Sequence, residues 1–336
     1  MPRVSTFKFQ LSTLFFLLLP LLFAGCGQAE ITDNMSDEEI LKVLDVKLHR
    51  NPDNDALLFQ RGQAYLRLGR VNEAINDLSR ATSLQPKEVK YFMALGDAQF
   101  ANGDVEASYN ALNKALELEP DNADAILKMG ELTYYSRDYD RALDYLSRVT
   151  AHDPNNRTAL FMKAFVYKEK GDTSNAVGLL EKVCGLYPDY EPAFEELGVL
   201  YASRHADLAL EYLNTALRLE PRNTNALYAL AMYYQELNQA DKAEEYYKQI
   251  LDIDANHKHA WHNRGYIQLF TYGDYEQAVD YLTRAIQCDT NFIEAWTNRG
   301  CAYELLGDKP HAREDFQHAL SLDHTFQPAL DGMKRI

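Results

Sequence analysis

Three histidines, His257, His259 and His262, lie within six residues of one another, and His259 and His262 share a helix face. Imidazoles at that spacing are the strongest candidate metal ligands in the chain. No neighbouring cysteine or carboxylate has the spacing to complete a four-ligand set, so no metal or other cofactor is expected. Four cysteines are present, Cys26, Cys184, Cys288 and Cys301, and they follow no regular spacing. A disulfide framework would need a paired pattern. Cys184 reads as a buried structural thiol, and a Cys288–Cys301 pair is disfavoured because Cys301 should turn away from the core. No phosphate-cradling glycine loop, nucleophile elbow or HExxH helix occurs. The carboxylates are scattered at the spacing of solvated helix faces. Nothing in this inventory points to an enzyme.

The net charge of −16 narrows the partners. An acidic surface repels phosphate backbones and anionic lipid headgroups, which argues against nucleic acid and against a basic membrane-binding patch. With 46% hydrophobic and 25% charged residues, the chain can bury a large core.

The elements that would position these side chains are read from a repeat. Small residues recur at Gly62, Gly96, Gly130, Ala164, Gly198, Ala231, Gly265 and Gly300, with steps of 34, 34, 34, 34, 33, 34 and 35. A second small column runs Ala74, Ser108, Ala142, Ala176, Ala209, Ala243, Ala278 and Ala312. A third runs Ala81, Ala115, Val149, Val183, Ala216, Ile250, Ala285 and Ala319. Leu58, Gly62 and Tyr65 fall at i, i+4, i+7 on one helix face, and Ala74, Leu78 and Ala81 repeat this on a second helix. Gly69, Gly103, Gly171, Gly273 and Gly307 mark the turns between the two helices, with Arg137 and Asn238 as stand-ins. The spacing predicts that Gly62 and Ala74 are small because the helices cross there. It also predicts that the one-residue deletion near His205 and the insertion near Tyr272 are absorbed in turns.

These columns, with Pro86, Pro120, Pro154, Pro188 and Pro221 closing successive units, resemble the tetratricopeptide repeat. The resemblance covers residues 55–324 in eight consecutive units. It implies an all-α fold, an α-solenoid superhelix of eight helix-turn-helix repeats, each burying its apolar face on the next. Ser36 followed by Glu39 is a capping-box pattern that opens a capping helix within residues 36–50. Residues 325–336 begin an incomplete helix, covering the other end through Ala329, Leu330 and Met333.

The resemblance also implies that the first helix of each hairpin lines a concave face. The off-core stripe of those helices contains nine aromatics: Phe59, Phe100, Tyr134, Tyr135, Phe161, Phe165, Tyr228, Tyr266 and Phe270. Aromatic anchors among interspersed acids suit a groove for an apolar peptide or helix. A glycan or cell-wall peptide is the alternative occupant. Some tetratricopeptide domains clamp a terminal carboxylate with Lys, Asn and Arg. Asn263 and Asn298 match the central asparagine of that clamp, but Tyr228, Met232 and Glu294 replace its basic residues, so a carboxylate ligand is not expected there.

The N-terminus carries Arg3 and Lys8, then an apolar run from Leu11 to Ala24. As a helix the run would be about 21 Å long, short of the roughly 30 Å of a hydrocarbon core. It therefore reads as the apolar part of a signal peptide. Leu22-Phe23-Ala24-Gly25-Cys26 resembles a bacterial lipobox, which implies a lipoprotein signal peptide at 1–25, lipidation of Cys26 and a lipidated tether at 26–35. Gly27, rather than aspartate, favours the outer membrane. The expected protein is thus a lipid-anchored scaffold or adaptor of the bacterial cell envelope that binds another protein or a peptide.

Overall fold

The computed structural model describes residues 31–32, 34–203 and 207–336, and it divides into two compact units, 1–102 and 103–336. The signal peptide, Cys26, most of the tether and His205 lie outside the described residues. All regular structure among the described residues is helical.

The first unit holds α1 (Asp37–Arg50), α2 (Asp55–Arg67), α3 (Val71–Leu84) and α4 (Val89–Ala101). At its head the Ser36 side chain accepts from the Glu39 N–H while the Glu39 carboxylate accepts from the Ser36 N–H, closing a capping box. Leu48, Leu58, Ala81 and Tyr91 from the four helices form one buried cluster.

The second unit begins with α5 (Val105–Leu118). Hairpins 3 to 8 then follow, each a first and a second helix: α6 (Ala123–Tyr135) and α7 (Tyr139–His152), α8 (Arg157–Glu169) and α9 (Thr173–Leu186), α10 (Glu191–Ala202) and α11 (Leu208–Leu219), α12 (Thr224–Glu236) and α13 (Ala240–Ile253), α14 (Lys258–Ile267) and α15 (Tyr275–Cys288), α16 (Ile293–Leu305) and α17 (Lys309–Leu322). A last helix, α18 (Gln327–Arg335), packs on α17 and α16. Each second helix also packs on the first helix of the next hairpin. First helices touch one another directly in the pairs α6/α8, α10/α12 and α14/α16.

Local chemistry explains the starts and stops. Asn54, Asn122, Asn156 and Asn223 accept backbone N–H groups in the first turns of α2, α6, α8 and α12, and Asp104, Asp138, Asp172, Asp274 and Asp308 do so for second helices. Between the paired helices of seven hairpins one residue takes a left-handed conformation; the turn of hairpin 5 lies partly outside the described residues. It is a glycine in five of them, while Arg137 (φ 60°) and Asn238 (φ 57°) hold the same conformation in hairpins 3 and 6.

The helices do approach closely at the small column, and a large residue of the second helix fills the space. A Cβ on Gly62 would lie 2.7 Å from Cγ of Leu78, one helical turn beyond Ala74, and one on Gly265 would lie 2.6 Å from Cγ of Leu282. The glycine makes room for a large residue of the facing helix. That residue forms its own buried column: Leu78, Leu112, Leu146, Leu180, Leu213, Tyr247, Leu282 and Phe316.

The insertion in hairpin 7 also differs from expectation. It is not taken up by the turn. Residues Gln268–Tyr272 continue α14 as one π-helical turn, and the Gly273–Asp274 closure stays as in other hairpins. The Asp274 N–H reaches back to the Gln268 carbonyl, one residue further than Asp172 reaches to Tyr167. The left-handed residue and the following Asp cap form a closure of fixed length, so the extra residue widens the helix instead.

Candidate functional site

The nine stripe aromatics do not form one set. Phe59 and Phe100 belong to the first unit, both half-buried. Phe59 packs on Tyr91 at 4.9 Å with Lys90 over its face, and the Tyr91 hydroxyl donates to Asp55. The other seven lie in the second unit, in two patches.

The first patch spans α6 and α8. Tyr134 and Tyr135 meet edge-on at 5.3 Å, and Tyr135 is 42% exposed. Burial pushes the Tyr134 phenol up to about 12. Phe161 corrects the expectation that it is a groove anchor: it is only 3% exposed and belongs to the core with Leu160, Leu180, Val183 and Leu197. It packs on Phe165 at 4.8 Å and on Tyr190 at 5.2 Å. Its position on α8 is on the stripe, but Tyr190, at the head of α10, closes over it. Phe165 stays half-buried, with the Lys168 ammonium 4.8 Å from its centroid.

The second patch spans α12, α14 and α16 and gathers the three histidines. The Asn263 carboxamide is buried among them. Its Nδ2 donates to the Tyr247 hydroxyl (2.9 Å) and the Tyr228 hydroxyl (3.1 Å), and its Oδ1 lies 3.0 Å from His262 Nδ1. Because Oδ1 can only accept, the His262 proton sits on Nδ1. Nε2 is then left to accept from Asn298 Nδ2 at 3.0 Å. The Tyr247 hydroxyl itself donates to Gln235 Oε1 (2.9 Å). Burial holds His262 below the usual imidazole range and the Tyr247 phenol well above its own. Phe292 meets His259 edge-on (5.1 Å) and His262 at a tilt (4.8 Å). His257 caps α14 through the Ala260 N–H.

This geometry gives the histidines a structural role. Both nitrogens of His262 are hydrogen-bonded, and one nitrogen of His257 is committed to its cap. No group of three or more His, Cys, Asp or Glu side chains among the described residues could hold a metal ion. The Asn263 amide is likewise consumed by two tyrosines, so it has no donor left for a ligand carboxylate.

Tyr266 and Phe270 continue the stripe beyond this network. Their rings meet at 4.6 Å, and they are 40% and 54% exposed.

Between the patches runs an acidic seam. The Asn223 amide donates to Glu191 Oε1 and to Glu195 Oε2, both at 2.6 Å, while Asn223 Oδ1 caps α12. Burial, with Glu195 as neighbour, pushes the Glu191 carboxyl up to about 7; Glu195 is also raised, chiefly by burial. Glu196 pairs with Lys168 at 2.6 Å.

Sequence reasoning missed Tyr247, Phe292 and the Glu191–Asn223 contact. A signal existed for the first, since a tyrosine stands in an otherwise leucine- or phenylalanine-filled column. Phe292 stands where four of the eight first helices have a capping asparagine. The Glu191–Asn223 contact joins residues 32 apart and had no local signal. Cys184 is buried as read, with its thiol pushed up to about 12, and Cys184, Cys288 and Cys301 are all free; Cys301, expected to turn away from the core, instead packs against it, half-buried beside Trp296 and Phe316. No described helix is long and apolar enough to cross a membrane.

Family models match along this same helical array. The model described as the cytochrome c-type biogenesis protein H TPR domain matches residues 85–193, and tetratricopeptide repeat models match 62–103, 200–263, 258–292 and 293–326. A curated relative is the UDP-N-acetylglucosamine–peptide N-acetylglucosaminyltransferase of Giardia intestinalis, 30% identical over 103 residues. That match covers 30% of this chain and only 7% of the relative's length. Among solved structures, the APC/C hetero-tetramer Cut9–Hcn1 is similar with TM-score 0.57 and 17% identity, over 91% of this chain and 60% of that one. A tetratricopeptide repeat protein from Parabacteroides merdae gives 0.56 and 17%, over 73% and 97%. Pseudomonas aeruginosa pilF gives 0.53 and 20%, over 62% and 94%. At such identities the likeness is one of fold. Together with the turn residues, the small columns and the hairpin order, these matches make the chain a member of the tetratricopeptide repeat proteins, a family of protein-interaction scaffolds.

Proposed function

We propose that the chain is a lipid-anchored adaptor that holds a peptide or helix of another protein against the first-helix stripe of its second unit. The observation that supports this most is the exposure of Tyr135, Tyr266 and Phe270 on that stripe, since side chains needed only for hairpin stacking would be covered. Large aromatics with about half of their surface still to bury are the residues that dominate peptide recognition. Tyr134, Phe165 and Tyr228 flank such contacts as half-buried walls, and Phe161 supports them from within. The protein acts by binding, without catalysis, metal or nucleic acid.

The anchor rests on the sequence Leu22-Phe23-Ala24-Gly25-Cys26 and places the adaptor in the bacterial cell envelope, at the outer membrane. A photo-activatable residue at Tyr135 or Tyr266 of the full chain should cross-link a discrete protein in native membranes, and one at Gln249 on a second helix should not. Equal or absent cross-linking at all three positions would refute the groove. Fatty-acid labelling tests the anchor separately: Cys26→Ala should abolish the label, and label retained on that variant would remove the lipid.

A further inference from the structure

The inserted residue of hairpin 7 has a consequence at the surface. Widening α14 into a π turn keeps Leu269 in the core, 3% exposed, while Phe270 and Tyr272 emerge at 54% and 46%. Tyr266 backs Phe270. The Tyr272 hydroxyl donates to Asp241, which ties this turn to the start of α13 in the preceding hairpin. The neighbouring turns are apolar too: Leu237 follows α12, and Leu305 and Leu306 end α16, all exposed. Hairpins 3 and 4 place Ser136 and Lys170 where hairpins 6 and 8 have Leu237 and Leu306.

Charge separates the same two groups of turns. The seven residues centred on each left-handed turn residue contain six acids and one lysine across hairpins 6 to 8: Glu236, Asp241, Asp274, Glu276, Glu304 and Asp308 against Lys309. Arg335 pairs with Glu304, His311 with Asp308, and the Tyr272 hydroxyl with Asp241. Across hairpins 3 and 4 the corresponding windows hold four acids and three basic residues. Apolar side chains inside an acidic rim call for a complementary occupant with an apolar face and positive edges. Exposed tyrosine and phenylalanine faces favour the same cations.

We propose that the turn ends of hairpins 6 to 8 form a docking ridge, built by the π turn, for a short amphipathic segment of another protein that is apolar on one side and lysine- or arginine-rich at its edges. This deepens the adaptor reading, because Tyr266 and Phe270 also belong to the stripe. It restricts the occupant's charge and places its anchor at one end of the array.

The test uses the full chain and two fluorescent probes, an 18-residue amphipathic leucine/lysine peptide and its leucine/glutamate counterpart. The lysine peptide should bind more tightly, with affinity falling as salt rises. Phe270→Ser with Leu305→Ser should weaken it by about tenfold or more. Deletion of Thr271, which restores the 34-residue spacing and removes the π turn, should do the same while leaving the other hairpins helical. Gln249→Ser, at an exposed position on α13, should leave binding unchanged. Equal binding of the two peptides, or unchanged binding in the Phe270/Leu305 variant, would overturn the ridge. Loss in Tyr135→Ser alone would overturn the ridge and leave the stripe as the groove. Retention in every variant would overturn both.

Discussion

Two polar seams join first helices in the second unit, and they are built with opposite charge logic. Between α10 and α12, one asparagine amide holds two carboxylates, Glu191 and Glu195, whose ionised forms are penalised by burial. Between α14 and α16, a neutral imidazole sits between two asparagine carboxamides, and burial penalises its protonated form. Both seams favour their uncharged state, but one reaches it by gaining a proton and the other by losing one. Acidification therefore stabilises the first seam and destabilises the second. Glu191 binds its proton more tightly in the fold, so its penalty is absent below the ordinary carboxylate range and grows as pH rises through about 7. His262 binds its proton less tightly in the fold, so its contribution is intact above the ordinary imidazole range and is lost as pH falls below it.

The comparison can be broken most severely at Phe161, whose ring packs on Tyr190 beside Glu191. Phe161→Ala removes a buried aromatic and should cost about 3–5 kcal/mol. Thermal melts should show the loss at every pH, and a shift of only a degree or two would return Phe161 to the exposed stripe. Asn263→Ala comes next. It strands the His262 Nδ1–H, and the Tyr247 and Tyr228 hydroxyls lose their donor, which should cost about 2–3 kcal/mol by denaturant titration. An effect below half of that would mean water or another side chain replaces the carboxamide.

Glu191→Gln should work in the opposite direction. The carboxamide keeps a hydrogen-bonding oxygen without the charge. After discounting for the solvent-exposed half of the group, stability should rise by about 1–2 kcal/mol at pH 8 and remain unchanged at pH 5. A gain of equal size at both values would show that titration is not its cause. In that background, the remaining fall in melting temperature from pH 7.5 to 5.5 should shrink when His262 is replaced by glutamine. The smallest effect is expected at Tyr135→Ala, under about 1 kcal/mol, because its ring is well exposed. A larger loss would make Tyr135 part of the core and remove it from any binding surface.

Much of the array is legible without coordinates. The eight-unit period, the left-handed Arg137 and Asn238, the asparagine and aspartate caps and the Ser36–Glu39 box are properties of short segments or of their repetition. The candidate site is legible only by face. Helical periodicity put Phe161 and Phe270 on the same stripe, yet one is core and the other is exposed. Nothing within α8 or α14 says that Tyr190 will close over the first or that a π turn will turn the second outward. The histidines show the same limit. Their spacing suggested ligands, whereas Asn298 and Phe292, from the next hairpin, and Asn263 made them a hydrogen-bonded, ring-packed part of the structure.

Taken alone, the sequence determined which segments are helices, where they turn and how often the unit recurs, because backbone propensities, caps and the 3.6-residue period act over a few neighbouring residues. The tertiary structure alone decided that Gly62 makes room for Leu78 and that the insertion widens a helix and spares its turn. It also decided that Glu191 and Glu195 share one asparagine and that the aromatic stripe is split into walls, core and exposed ridge. Each of these depends on which side chain of a neighbouring helix occupies the space, and that is set by packing between residues 15 to 36 positions apart, beyond the reach of any local rule.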